Sequence, residues 1–130
     1  MPGAPLRLQN TTRGTIVAGR VASAGTFWTS FLGLMGRPSI DPDEGLWMPG
    51  VTNIHMFFMR FAIDCAFLGP ETPDGEREVI VVRHRLPAWT GIVWRAPGAR
   101  GVVELAPGAL ERSGTQIGDL VRLEAVPLAH

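Results

Sequence analysis

Short runs of alternating or wholly apolar residues, separated by Gly/Pro corners, recur along this chain and predict a mainly β domain. Leu120 to Val126 alternates cleanly, with Leu120, Arg122, Glu124 and Val126 on one face and Val121, Leu123 and Ala125 on the other. Thr15 to Ala22 is rich in β-branched residues, and Val102 to Leu105 is a short strand ending at Pro107-Gly108. Glu78 to His84 is apolar at its centre and reads as interior to a sheet. Leu6 and Leu8 suggest a first edge strand before the turn Asn10-Thr11-Thr12. The period changes once, where Phe27, Phe31, Leu34 and Met35 share a helical stripe. Thr26 can cap that helix and Gly36 can stop it, which predicts one short helix over 27–35. Ala109 to Gly114 is long enough for one helical turn with Leu110 facing inward.

The most apolar stretch, His55 to Gly69, holds four of the six phenylalanines and also Arg60 and Asp64. As a strand it places Phe57, Met59, Phe61, Ile63, Cys65 and Phe67 on one face, the expected core side. Arg60 and Asp64 fall on the other, roughly 13 Å apart in extended chain, too far to pair directly. A bulge or break near Arg60 would turn both toward one site. Gly69 to Arg77, with Asp74-Gly75 at its tip, reads as a hairpin-like connection.

With 130 residues and an apolar fraction of 45%, one domain can bury its own core. Its expected extent is 15–126, with a flexible terminus or edge strand over 1–14 and a tail at 127–130. Twelve basic and twelve acidic residues cancel, so total charge argues against nucleic acid and against an anionic membrane. Every basic residue outside the three histidines is arginine, a bias that suggests a GC-rich bacterial genome. The N-terminal residues lack the pattern of a leader, and a cytoplasmic location is the expectation.

Motifs for chemistry are sparse. His55, His84 and His130 have no metal-ligand spacing, and Asp41, Asp43 and Glu44 lack the frame of a calcium loop. No metal or cofactor is expected, since the glycines match neither a dinucleotide nor a P-loop motif. Cys65 stands alone among apolar residues and reads as a buried thiol. No catalytic residue is assigned, although Asp64, Glu104 and Asp119 can converge in space. Between Val79 and Val103 the chain has Arg83, Arg85, Arg95 and Arg100, with Trp89 and Trp94 among them and no acid. Arginine beside aromatics suits an RNA surface and suits a protein contact equally.

Five blocks together resemble the DUF192 (UPF0127) family of bacterial and archaeal proteins. They are Gly33-Leu34-Met35-Gly36-Arg37, Gly45-Leu46-Trp47-Met48, His55 to Leu68, Val103-Glu104-Leu105-Ala106-Pro107-Gly108, and Gly114 to Asp119. The similarity covers about 15–125. It departs from the usual pattern at Trp47-Met48, Met56 and Cys65. It implies a compact β-sandwich or partly closed β-barrel, with one short helix near the first block, and it implies no molecular function. It marks Arg37, Met59, Asp64, Glu104, Gly108, Gly118 and Asp119 as pattern positions without giving them roles.

From these readings, Arg37, His55, Arg60, Asp64, Glu104 and Asp119 form a candidate polar cluster. Within it, Arg37, Asp64 and Glu104 are expected to hold the helix against the sheet. Phe57, Met59, Arg85, Trp89, Trp94 and Arg95 form a candidate partner surface. The expected function is a small non-enzymatic binding or accessory domain for a protein, peptide or small molecule, acting as a monomer or weak homo-oligomer. The alternatives are a small hydrolase-like enzyme using Asp64 and Glu104, and a weak RNA-binding module through 83–100.

Overall fold

The computed structural model describes residues 5–23, 34 and 37–126. Among them are nine strands: β1 (Leu6–Asn10), β2 (Thr15–Ser23), β3 (Glu44–Pro49), β4 (Ile54–His55), β5 (Ile63–Leu68), β6 (Glu76–Leu86), β7 (Ile92–Val93), β8 (Gly101–Leu105) and β9 (Leu120–Ala125). One short helix, α1 (Ala109–Ser113), precedes β9. Seven strands close into a barrel in the order β1-β2-β3-β8-β5-β6-β9, so the open-sandwich alternative is excluded. The remaining two, β4 and β7, pair with each other as a separate two-stranded sheet.

Closure changes the standing of the first strand. β1 is hydrogen-bonded to β2 on one side and β9 on the other, so it is neither a loose terminus nor an edge. The barrel therefore includes Leu6–Asn10 as well as the strands from Thr15 onward. A closed barrel has no free edge to protect, which is why a strand with Arg7 and Gln9 can still be interior to the sheet. One neighbouring pair is parallel: β2 and β3, whose connection runs through the residues between Ser23 and Glu44. The expected helix over 27–35 lies in this connection and outside the described residues, apart from the buried, helical Leu34. The turn expected at 109–114 is present as α1, with Leu110 fully buried.

Two apolar layers lie back to back across the barrel wall. The inner layer takes residues from all seven barrel strands, among them Leu8, Val21, Trp47, Val103, Leu68, Val79 and Val121, and is plugged by Ala109 and Leu110 of α1. Gly101 makes room for its largest ring. A Cβ there would stand 2.3 Å from the Trp47 Cη2 atom, so the wall can close over the indole only with glycine at this position.

The outer layer covers the other side of β3, β8, β5 and β6, with Met48, Val102, Cys65 and Phe67 facing Ile54, Met56, Met59 and Val93. Residues 49–62 and 87–100, with β4 and β7 at their centre, thus form a cap over one wall of the barrel. All six residues of β5 are buried, because this strand has the barrel core on one face and the cap on the other. That doubly covered position explains why the central stretch is so apolar on both of its faces.

The expected break near Arg60 is real and larger than a bulge. The chain leaves β4 at His55, turns at Phe57-Phe58, bends at Arg60-Phe61 and enters β5 at Ile63. The hairpin connection between Gly69 and Arg77 also forms, joining the antiparallel β5 and β6.

Candidate functional site

The six residues of the candidate polar cluster do not come together, and each has its own surroundings. Asp64 is fully buried on the inner face of β5 at the barrel end. Its Oδ1 accepts the backbone N–H of Arg85 at 2.8 Å, and its Oδ2 accepts those of Gly108 and Leu110, both at 3.1 Å. The register of β5 against β6 shifts here, leaving Arg85 in a left-handed conformation (φ 49°) that directs its N–H inward. Gly108, at φ 91°, opens α1 in a conformation that glycine adopts without strain. Asp64 therefore ties a bulge and a helix start to one strand through backbone amides. No guanidinium takes part.

Arg37, expected beside Asp64, instead makes a two-pronged pair with Glu44 at 2.6 and 2.7 Å. That pair holds the Glu44 carboxyl below its ordinary range, and the Asp41 backbone N–H adds to the effect. Asp119 is held past the C-terminal end of α1, where Asn10 bonds both its carboxylate and the Thr115 hydroxyl. Its carboxylate accepts from Arg13, Asn10 and the backbone of Gln116. The Arg13 hydrogen bond leads in lowering it to about 2. Neither Asn10 nor Arg13 was visible as part of this network, because their partners lie more than a hundred positions away. Arg60 is exposed and does not turn toward Asp64.

Glu104 lies on the opposite face of the wall from Asp64. The register places Asp64 beside Leu105 and Cys65 beside Glu104. Leu46, Glu104, Cys65 and Arg83 form one row across β3, β8, β5 and β6, all directed to the cap side. Glu104 retains 9% of its surface, and among the described residues it has neither a hydrogen-bond donor nor a cation within 4 Å. Burial alone pushes its carboxyl up to about 7. The same burial, with the Glu104 charge next, pushes the Cys65 thiol up to about 12, which leaves it a neutral packing group. A shared acid–base site of Asp64 and Glu104 is excluded by this geometry, because a β-sheet lies between them. Among the described residues, no group of three or more His, Cys, Asp or Glu side chains is arranged to hold a metal ion.

The cap carries the other candidate residues. Phe57 is 47% exposed, Trp89 53% and Trp94 78%, and Phe58, in the same turn, is 56% exposed. Met59 is a correction: at 5% exposure it belongs to the layer under the cap and not to its surface. Arg95 is exposed, whereas Arg85 is committed to Glu111 at 2.6 Å. The ring of Phe58 packs at 4.9 Å from that of Trp89, and His55 stacks at 4.8 Å on Phe57. Phe58 and Trp89 both have φ of 67°, a backbone state that bulky residues rarely occupy. Hydrogen bonds hold it: the Met56 carbonyl accepts from Met59 and Trp89, and the Met56 N–H donates to Gly91. Two successive phenylalanines at 57–58 were the available signal for this turn, since a strand cannot bury both on one side.

This is a closed seven-stranded barrel with an aromatic-faced cap on one wall. The chain belongs to the DUF192 family, whose model (Uncharacterized ACR) matches residues 8–123. A UPF0127 protein of Thermococcus sibiricus is 35% identical over 121 residues, covering 90% of this chain and 74% of that protein. Two crystal structures share the fold. One, from Sinorhizobium meliloti and provisionally described as a transcription regulator, has a TM-score of 0.68 at 24% identity, with 92% of each chain covered. The other, a Novosphingobium aromaticivorans protein of unknown function, has a TM-score of 0.71 at 20% identity, covering 94% of this chain and 92% of that one.

Proposed function

We propose that this chain is a non-enzymatic binding domain whose contact surface is the outer side of the cap. The observation that carries this reading is the exposed aromatic group on the cap, two of whose members, Phe58 and Trp89, are held in left-handed backbone conformations. Holding a bulky residue there costs on the order of 1–3 kcal/mol, and such strain persists where surrounding structure imposes it. Exposed rings do not contribute that cost back through burial in the free protein, so their burial against a partner is the natural role. The rest of the molecule supports a scaffold for this surface. Asp64 and Asp119 are saturated by hydrogen bonds within the fold, and Cys65 is sealed.

The test is site-specific photo-cross-linking in the cell that expresses the protein. A benzophenone side chain in place of Phe57 is expected to give a discrete adduct, and the same group in place of Ile16, exposed on the far part of the barrel, is not. Equal labelling at both positions, or none at 57, overturns the proposal.

A further inference from the structure

We infer that the ligand of the cap surface is a single-stranded nucleic acid, with bases stacked on the cap's exposed rings and phosphates held by the arginines around them. The inference rests on the reading of the cap as a binding surface. Its first support is the distribution of charge. The total is zero, yet residues 45–63 and 79–103, which supply the cap and part of the wall beneath it, contain no Asp or Glu, and Glu104, directed to the cap side of that wall, is buried. Seven of the twelve arginines form ion pairs. Arg60, Arg83, Arg95 and Arg100 form none among the described residues, and all four are exposed within the acid-free segments. The expectation against nucleic acid came from the sum of charges, and a local field depends on their arrangement.

The second support is the chemistry of the exposed rings. Six large apolar side chains are exposed among the described residues, and the four on the cap are all aromatic. The two aliphatic ones, Ile16 and Ile117, lie elsewhere on the molecule. Arg95 directly follows Trp94 and Arg60 lies two positions past Phe58 in the chain, and both are exposed. Asn53, His55 and Thr90, exposed in the same cap, interrupt the apolar surface with hydrogen-bonding groups. A surface that enters a bilayer gains from any large apolar side chain, aliphatic included. Rings alone, with planar guanidinium groups and scattered polar side chains between them, match planar bases on a phosphate backbone.

The test is fluorescence anisotropy of labelled oligouridine and oligothymidine, about 15 nucleotides long, titrated with the full chain at about 50 mM and about 200 mM salt. Binding is expected in the micromolar range with quenching of tryptophan emission, and it should weaken with salt by a slope of about −0.7 for each phosphate held. Trp89→Asn combined with Trp94→Ala is expected to weaken binding at least about tenfold, in keeping with the stacking contribution of two rings. Asn tolerates the left-handed backbone at 89, so the cap is expected to retain its wild-type circular dichroism. Arg60→Gln with Arg95→Gln should flatten the salt slope by about 1.4.

No anisotropy change at about 100 μM protein overturns the inference, far above the range expected of a stacking surface. Binding unaltered by the ring variants also overturns it, as does sedimentation with phosphatidylglycerol vesicles without oligonucleotide binding. The cross-link at position 57 separates this inference from the reading beneath it. An adduct destroyed by nuclease supports both. One that resists nuclease and yields to protease retains the binding surface and removes the nucleic acid, and absence of any adduct removes both.

Discussion

Asp64 and Glu104 occupy adjacent strands of the same ladder and face opposite ways, Asp64 into the barrel end and Glu104 under the cap. The first is surrounded by three backbone amides, and the second has no donor among the described residues. Two buried carboxyls in one fold therefore have opposite consequences for stability.

Glu104 should destabilise the fold when ionised. Its carboxyl titrates at about 7 in the folded chain, against an ordinary value of 4.5. Below about pH 4.5 it is neutral in both states and contributes nothing. Between pH 4.5 and 7 the unfolded chain releases a proton that the folded chain keeps, so stability falls by up to about 3 kcal/mol and then levels off. Glu104→Gln is expected to be more stable than wild type in urea at pH 8 and to match it near pH 4. A variant equal to wild type at pH 8 would show that the folded chain solvates this carboxylate fully.

Asp64→Asn should be destabilised at neutral pH. An amide offers one acceptor oxygen and an NH2 group where Gly108 and Leu110 present N–H donors, so at least one buried donor loses its partner. A cost of about 2–4 kcal/mol follows, or roughly a 10 °C fall in melting temperature. Thermal scans that coincide with wild type would contradict the amide cradle.

Asp119 contributes with the opposite sign to Glu104. Its folded value of about 2 lies below the ordinary 3.8, so its stabilisation is complete above about pH 4 and is lost as pH falls toward 2. Asp119→Asn is expected to unfold more easily than wild type at pH 7, with the two converging in acid near pH 2. Arg13→Met should narrow the same gap, since the Arg13 hydrogen bond is the leading cause of the shift.

Gly101→Ala places a methyl carbon 2.3 Å from the Trp47 ring and 2.9 Å from the Met48 carbonyl oxygen. Neither the barrel wall nor the buried indole can retreat without opening the inner layer. A loss of about 1–3 kcal/mol is expected, accompanied by a changed near-ultraviolet tryptophan signal. A variant with wild-type stability and spectrum would mean that the wall has slack at β3–β8.

Much of the fold was legible in local patterning. The strands at 15–22, 102–105 and 120–126 are displaced by no more than a residue or two, because each has a partner with the matching register and a turn residue at its end. The break near Arg60 and the turn at 109–114 were legible for similar local reasons. The candidate site was less so. Arg37 pairs with Glu44, seven residues away, and not with the distant carboxyls. Asn10, Arg13 and Asp119 meet only because β1 and β9 close the barrel. Phe57, on the expected core side, is exposed and Met56 is fully buried, since the turn at 57–58 breaks the inside–outside alternation that a continuous strand would have kept.

The sequence by itself determined the β character, the Gly/Pro corners, the buried thiol and the family, all of which depend on neighbouring residues or on the order of short blocks. Only the tertiary structure decided which face of each strand met the barrel core and which met the cap. It separated Asp64 from Glu104 by the thickness of a sheet, and it brought onto the cap exposed rings and arginines that form no ion pair among the described residues. The physical reason is one of range. Propensity and turn chemistry act over a few residues, whereas burial, register and electrostatic field depend on which distant strands are brought side by side.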